Sequence, residues 1–102
     1  MAGALAMHIV FSARRGEGDA LAAILLEAAE SAREIAECRL YLVGCSPANS
    51  DKVWVTEVWT SRDAYLASLE DERVQAMVAR AVPLLVGPPQ PHELTSVAAT
   101  GL

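Results

Sequence analysis

The chain has 102 residues, enough for one hydrophobic core and too few for two. Hydrophobic residues make up 53 % and charged residues 21 %, so apolar surface is in excess of what a lone small domain covers. A net charge of −5 with eight scattered Lys and Arg argues against nucleic acid and against an anionic membrane, since both need a concentrated positive patch.

The opening MAGALAM is apolar but lacks the basic segment and apolar length of a signal peptide. No apolar run approaches the roughly 20 residues that cross a bilayer. Residues 1–6 and 99–102 are expected as loosely ordered ends of a single domain over 1–102. MHIVFSAR (7–14) is β-branched and aromatic, which predicts a strand, closed by the turn RRGEG. DALAAILLEAAESAREIAE (19–37) predicts a helix. Leu21, Leu25, Ala28, Ala32 and Ile35 recur every three or four residues, and Asp19 suits its cap.

CRLYLVGC (38–45) is the second strand, SPANSD (46–51) its hairpin connection and KVWVTEVW (52–59) the third strand. Ser61 is placed to cap a helix with Asp63 in its first turn and Tyr65, Leu66 and Leu69 inward. Glu70–Asp71 interrupts that helix, and Val74, Met77, Val78 and Ala81 form the stripe of the next. Pro83 and GPPQP (87–91) end the helical region, and HELTSVA (92–98) is the fourth strand.

The order β-α-β-β-α-β is α+β and ferredoxin-like: a four-stranded antiparallel sheet with helices on one face. The free face of such a sheet should be polar. Here Leu40 and Leu42 oppose Tyr41 and Val43, Val53 and Val55 oppose Trp54 and Val58, and Ile9 and Phe11 oppose Val10. Apolar residues on both faces call for a second cover, and a homodimer packed through sheet faces is the economical one. Cys38 and Cys45, seven residues apart in one strand, are expected on opposite faces and unpaired. With no CxxC, and His8 and His92 at opposite ends of the chain, no metal site is expected and a reducing cytoplasm fits.

Val53, Val55, Glu57 and Trp59 share one face of the third strand. A carboxylate on so apolar a strand needs a partner such as Arg14 or Arg39, or else a raised pKa. Trp59 reads either as packing or as the wall of a pocket, and His8 is a strand histidine whose ordinary pKa suits a base.

The stretch from Glu57 to Ala64 resembles the Glu-x-Trp-x-Ser-x-x-Ala-hydrophobic signature of the antibiotic biosynthesis monooxygenase family. CRLY (38–41), VQAMV (74–78) and PLL (83–85) before a Pro-rich turn agree in order, so the resemblance runs over residues 7–98. It implies a dimeric α+β barrel that oxidises a small quinol- or phenol-type aromatic with O2, without flavin, haem or metal. On that resemblance Trp59 lines and orients the ring, His8 is the candidate base, and Tyr41 or Tyr65 hydrogen-bonds a substrate oxygen. Glu57 and Ser68 are further candidates for substrate contact. Ser68 stands nine residues beyond the Trp, where many members carry a histidine, which leaves a non-catalytic ligand-binding or structural dimer as the alternative. No histidine lies between positions 9 and 91, so haem degradation is not expected.

Overall fold

Period-two alternation in the strands decides where the core lies. A computed structural model of the chain describes residues 4–95, 97 and 98. Its elements are β1 (Leu5–Ser12), α1 (Gly18–Ala32), β2 (Cys38–Ser46), β3 (Asn49–Trp59), α2 (Arg62–Leu69), α3 (Glu72–Ala81), a 3-10 turn (Val82–Leu84) and β4 (Gln90–Leu94). The strands form one antiparallel sheet in the order β2-β3-β1-β4, the ferredoxin-like α+β fold that the element order predicts.

Leu5, Met7 and Ile9 of β1 lie in register with Trp59, Glu57 and Val55 of β3. This face is buried against Leu21, Ile24 and Leu25 of α1 and Ala81 of α3. On the opposite face, which carries His8, Val10, Trp54 and Thr56, Ala6 and Val58 are buried, but among the described residues no helix packs over it. On it Leu42 is 58 % exposed and Leu94 is 55 % exposed.

Several boundaries differ from expectation for local reasons. β1 begins at Leu5, and Ala4, Leu5 and Ala6, expected in a loose lead-in, are buried. Ser46 pairs with Asn49, so the hairpin connection shrinks from six residues to Pro47–Ala48 and β3 starts at Asn49. β4 lies at Gln90–Leu94 and so ends before the predicted limit; residue 96 falls outside the described residues. Pro91 is tolerated because β4 is an edge strand. α1 stops at Ala32, and residues 33–37 turn toward β2.

Asp19 sits in the first turn of α1 and is not its cap. The carboxylate of Asp51, from β3, accepts instead from Gly16 N (3.0 Å) and Gly18 N (2.9 Å), while its carbonyl accepts from Ala13 N (2.7 Å). A helix start is thereby tied to a strand 33 residues later in the chain. Ser61 caps α2 as predicted, its Oγ accepting from Ala64 N at 3.1 Å. The predicted break at Glu70–Asp71 is present, with Asp71 capping α3. Arg80 and Glu27 join α3 to α1 through two hydrogen bonds of 3.0 and 2.9 Å.

β2 carries a bulge that its sequence does not announce. Cys38 lies opposite Trp59 but Leu40 lies opposite Val58, so Arg39 is the extra residue. The bulge reverses the phase of the strand, and Cys38 and Cys45, opposite Trp59 and Val53, share a face where opposite faces were expected. Both thiols are free.

The contact between α1 and the β2–β3 hairpin leaves no room for a side chain at Gly18. A Cβ there would lie 2.0 Å from the carbonyl oxygen of Ser50. Gly18→Ala is expected to lose about 2–3 kcal/mol in urea unfolding, the upper range for overpacking. Asp51→Ala is expected to lose about 1–2 kcal/mol as an uncapped helix. Wild-type midpoints for both would contradict this tie.

Candidate functional site

α1, α2 and α3 lie over the buried face of the sheet and leave between them a cavity of about 230 Å³. Ile9, Phe11, Leu25, Val74, Met77 and Leu85 give it apolar walls. Six polar side chains reach it: Ser31 from α1, Tyr41 from β2, Glu57 and Trp59 from β3, and Tyr65 and Ser68 from α2.

Positions 57 and 59 share a face because a strand alternates, and at that spacing the two side chains meet. Nε1 of Trp59 donates to Oε1 of Glu57 at 3.0 Å. Trp59 is 2 % exposed, and the Tyr65 ring meets it edge-on, with centroids 6.1 Å apart at 67°. The indole is thus fixed at its N–H by one neighbour and on its ring by another.

Glu57 is 7 % exposed and is the one buried charged residue among those described. The two partners expected for it, Arg14 and Arg39, are exposed and neither pairs with it. The other expectation describes it: burial pushes its carboxyl above the ordinary carboxylate range, opposed in part by the Trp59 N–H. Burial and the Glu57 charge push the Tyr41 phenol well above its usual range, and the same two causes raise Tyr65. Burial and the Glu57 charge take the Cys38 thiol to about 11, so it stays protonated at neutral pH.

Tyr41, Glu57, Trp59, Tyr65 and Ser68 therefore come to one cavity. Oγ of Ser68 donates to the Tyr65 carbonyl at 2.6 Å, so the hydroxyl is engaged within its own helix. His8, the candidate base, is not brought to this site. It lies in register with Thr56 on the opposite face, its Nδ1 2.9 Å from Thr56 Oγ1 and its ring stacked on Trp54 at 5.1 Å. The sheet separates it from Trp59. Ser31 was not among the candidates, although its place three residues after Ala28, beside the α1 stripe, was the available signal.

The model of the antibiotic biosynthesis monooxygenase family matches residues 4–80 of the chain. Among solved structures, a protein from Chloroflexus aurantiacus named for that family is 34 % identical, with a TM-score of 0.85, over 96 % of this chain and 97 % of that one. Rv0793 from Mycobacterium tuberculosis is 21 % identical, with a TM-score of 0.85, over 96 % and 99 % of the two chains. A protein from Nitrosomonas europaea named for the same family has a TM-score of 0.89 at 11 % identity, over 99 % and 97 %. At these last two identities the likeness is one of fold. No curated protein matches the chain.

Glu57 should leave a mark on stability against pH. Its folded pKa lies above its unfolded one, so the stability contributed by the neutral carboxyl is complete below the ordinary 4.5 and is lost as pH rises through the folded value. Glu57→Gln keeps the shape and removes the titration. Wild type is expected to lose stability relative to Glu57→Gln over that window, by about 1.4 kcal/mol for each unit that separates the two pKa values. Urea unfolding at a series of pH values checks this, and a gap that does not change with pH would contradict it.

Proposed function

Because the chain belongs to the antibiotic biosynthesis monooxygenase family, we propose that it is a cofactor-independent monooxygenase oxidising a small quinol- or phenol-type aromatic with O2. The observation that carries this reading is the apolar cavity lined by Tyr41, Glu57, Trp59, Tyr65 and Ser68. An electron-rich quinolate can pass an electron to O2 directly, so the protein has to bind the ring, orient it and exclude water. Trp59, held by Glu57 and Tyr65, supplies a wall that is fixed before the substrate arrives. Tyr41 and Tyr65 stay protonated at neutral pH and can donate to an oxygen on which negative charge develops. For a quinol with a free neighbouring ring carbon, quinol and O2 give the hydroxyquinone and water.

The same reading includes a homodimer formed through the open sheet face, where Leu42, opposite Thr56, and Leu94, opposite Ala6, stand exposed. A cytoplasmic setting would keep Cys38 and Cys45 as thiols. One observation favours a second reading, ligand binding without turnover. Position 68 carries a serine already bonded to the Tyr65 carbonyl, and such a group offers no base.

Oxygen uptake separates the two. Chelator-treated protein is expected to consume O2 with hydroquinones or anthrones above the autoxidation background. Trp59→Ala, shown folded by circular dichroism, should be slower by about tenfold or more, which is about 1.4 kcal/mol of transition-state stabilisation. Ligand binding by fluorescence quenching with no uptake across the panel would favour the binding reading.

A further inference from the structure

Charged side chains are almost never fully buried unless they are paired, and a buried carboxylate normally sits against a cation or several donors. Glu57 has neither. Its one side-chain hydrogen bond among the described residues comes from Trp59 and falls on Oε1. Among the described residues no buried side-chain oxygen or nitrogen lies sealed without a partner. Oε2 is therefore not sealed, and Glu57 is one of the residues that line the cavity.

The groups around it come from every neighbouring element. β2 contributes Cys38 and Tyr41, α2 contributes Tyr65, and β1 sets Met7 opposite in register. Glu93 of β4, paired with Arg62, acts on Tyr65 rather than on Glu57. α1 and α3 bring Ser31 and apolar side chains to the cavity and no charge. A proton released into this space thus meets, among the described residues, one carboxylate, two phenols that keep their own protons, and no cation.

We propose that Oε2 of Glu57 accepts the hydroxyl proton of the quinol, with Trp59 as the positioning residue whose N–H holds the carboxylate toward the cavity. This rests on the oxygenase reading above and supplies the base that neither His8 nor Ser68 provides. The quinol O–H bond breaks with its electron pair left on oxygen, and the proton bonds to Oε2. The quinolate gives one electron to O2, and the resulting pair of radicals joins through a new C–O bond at the neighbouring ring carbon. The terminal peroxide oxygen takes the proton back from Glu57. The carboxylate then removes the hydrogen of that ring carbon as a proton; the C–H pair becomes the second bond of the new carbonyl as the O–O bond breaks. The departing hydroxide takes this proton from Glu57 and leaves as water. Four electrons have passed from the ring to O2, one oxygen is in the product, and Glu57 ends ionised as it began. A carboxyl raised by burial is better matched to a phenol than an ordinary one.

The test is the pH dependence of O2-driven turnover of 1,4-naphthohydroquinone by wild type, Glu57→Gln and Trp59→Phe. Wild-type kcat should rise along one acid limb to a plateau. Glu57→Gln should lose that limb and about 100-fold or more of kcat with little change in KM, because the amide oxygen still accepts a hydrogen bond. Trp59→Phe should keep the limb but shift it to higher pH, because losing the N–H disfavours the ionised carboxyl. A role in packing alone would not move a limb. Wild-type kcat and limb in Glu57→Gln would overturn the assignment and leave the oxygenase reading standing, whereas no turnover by wild type would overturn both. If Glu57→Gln does not fold, the carboxyl can be titrated in wild type by 13C NMR of glutamate-labelled protein. Coincidence of that titration with the kinetic limb is expected, and clear separation of the two would overturn the proposal.

Discussion

A carboxyl group is buried in this fold, with an indole N–H and, among the described residues, no cation for company. Taking a carboxylate into an apolar setting is unfavourable by several kcal/mol unless it is paired or protonated. The surrounding structure must therefore hold it there. Trp59 ends β3 and is packed between β2, Tyr65 and the core, so its N–H has a fixed position to offer. The spacing of two residues on an extended strand brings Glu57 to that position. Burial, the hydrogen bond and the cavity wall are consequences of one geometric fact about β3.

The rest of the architecture frames the cavity on the sheet's helix side. Asp51 anchors the start of α1 to the β2–β3 hairpin, and Arg80 with Glu27 ties α3 to α1. The break at Glu70–Asp71 separates α2, which supplies Tyr65 and Ser68, from α3, which supplies Val74 and Met77. On the other side of the sheet, His8 stacks on Trp54 and bonds Thr56, which accounts for the histidine without chemistry. The proposed dimer would cover that side, leaving the site to the helix side of each chain.

Much of this was legible in the residues. Element order, the Ser61 cap, the break before Glu72 and the shared face of Glu57 and Trp59 follow from local patterns that the structure keeps. What escaped is non-local. The bulge at Arg39 depends on how β2 meets β3 and has no glycine to mark it. The Asp51 cap depends on a contact between segments 33 residues apart, so the nearer Asp19 looked sufficient. His8 could be placed on a strand but not on a face relative to Trp59, because the register of β1 against β3 cannot be read from either strand alone. The partner of Glu57 was sought among arginines because charge suggests charge, whereas the strand set the nearest donor two residues away.

The central claim is that an aromatic hydroxyl occupies the cavity in contact with Glu57. Infrared difference spectroscopy of anaerobic protein with and without 1-naphthol, which lacks the second hydroxyl of a quinol, observes that carboxyl directly, and Glu57→Gln identifies its band. Binding should shift the Glu57 band in wild type and produce no carboxyl change in Glu57→Gln. Saturating binding that leaves the band where it was would place the ligand elsewhere and contradict the account.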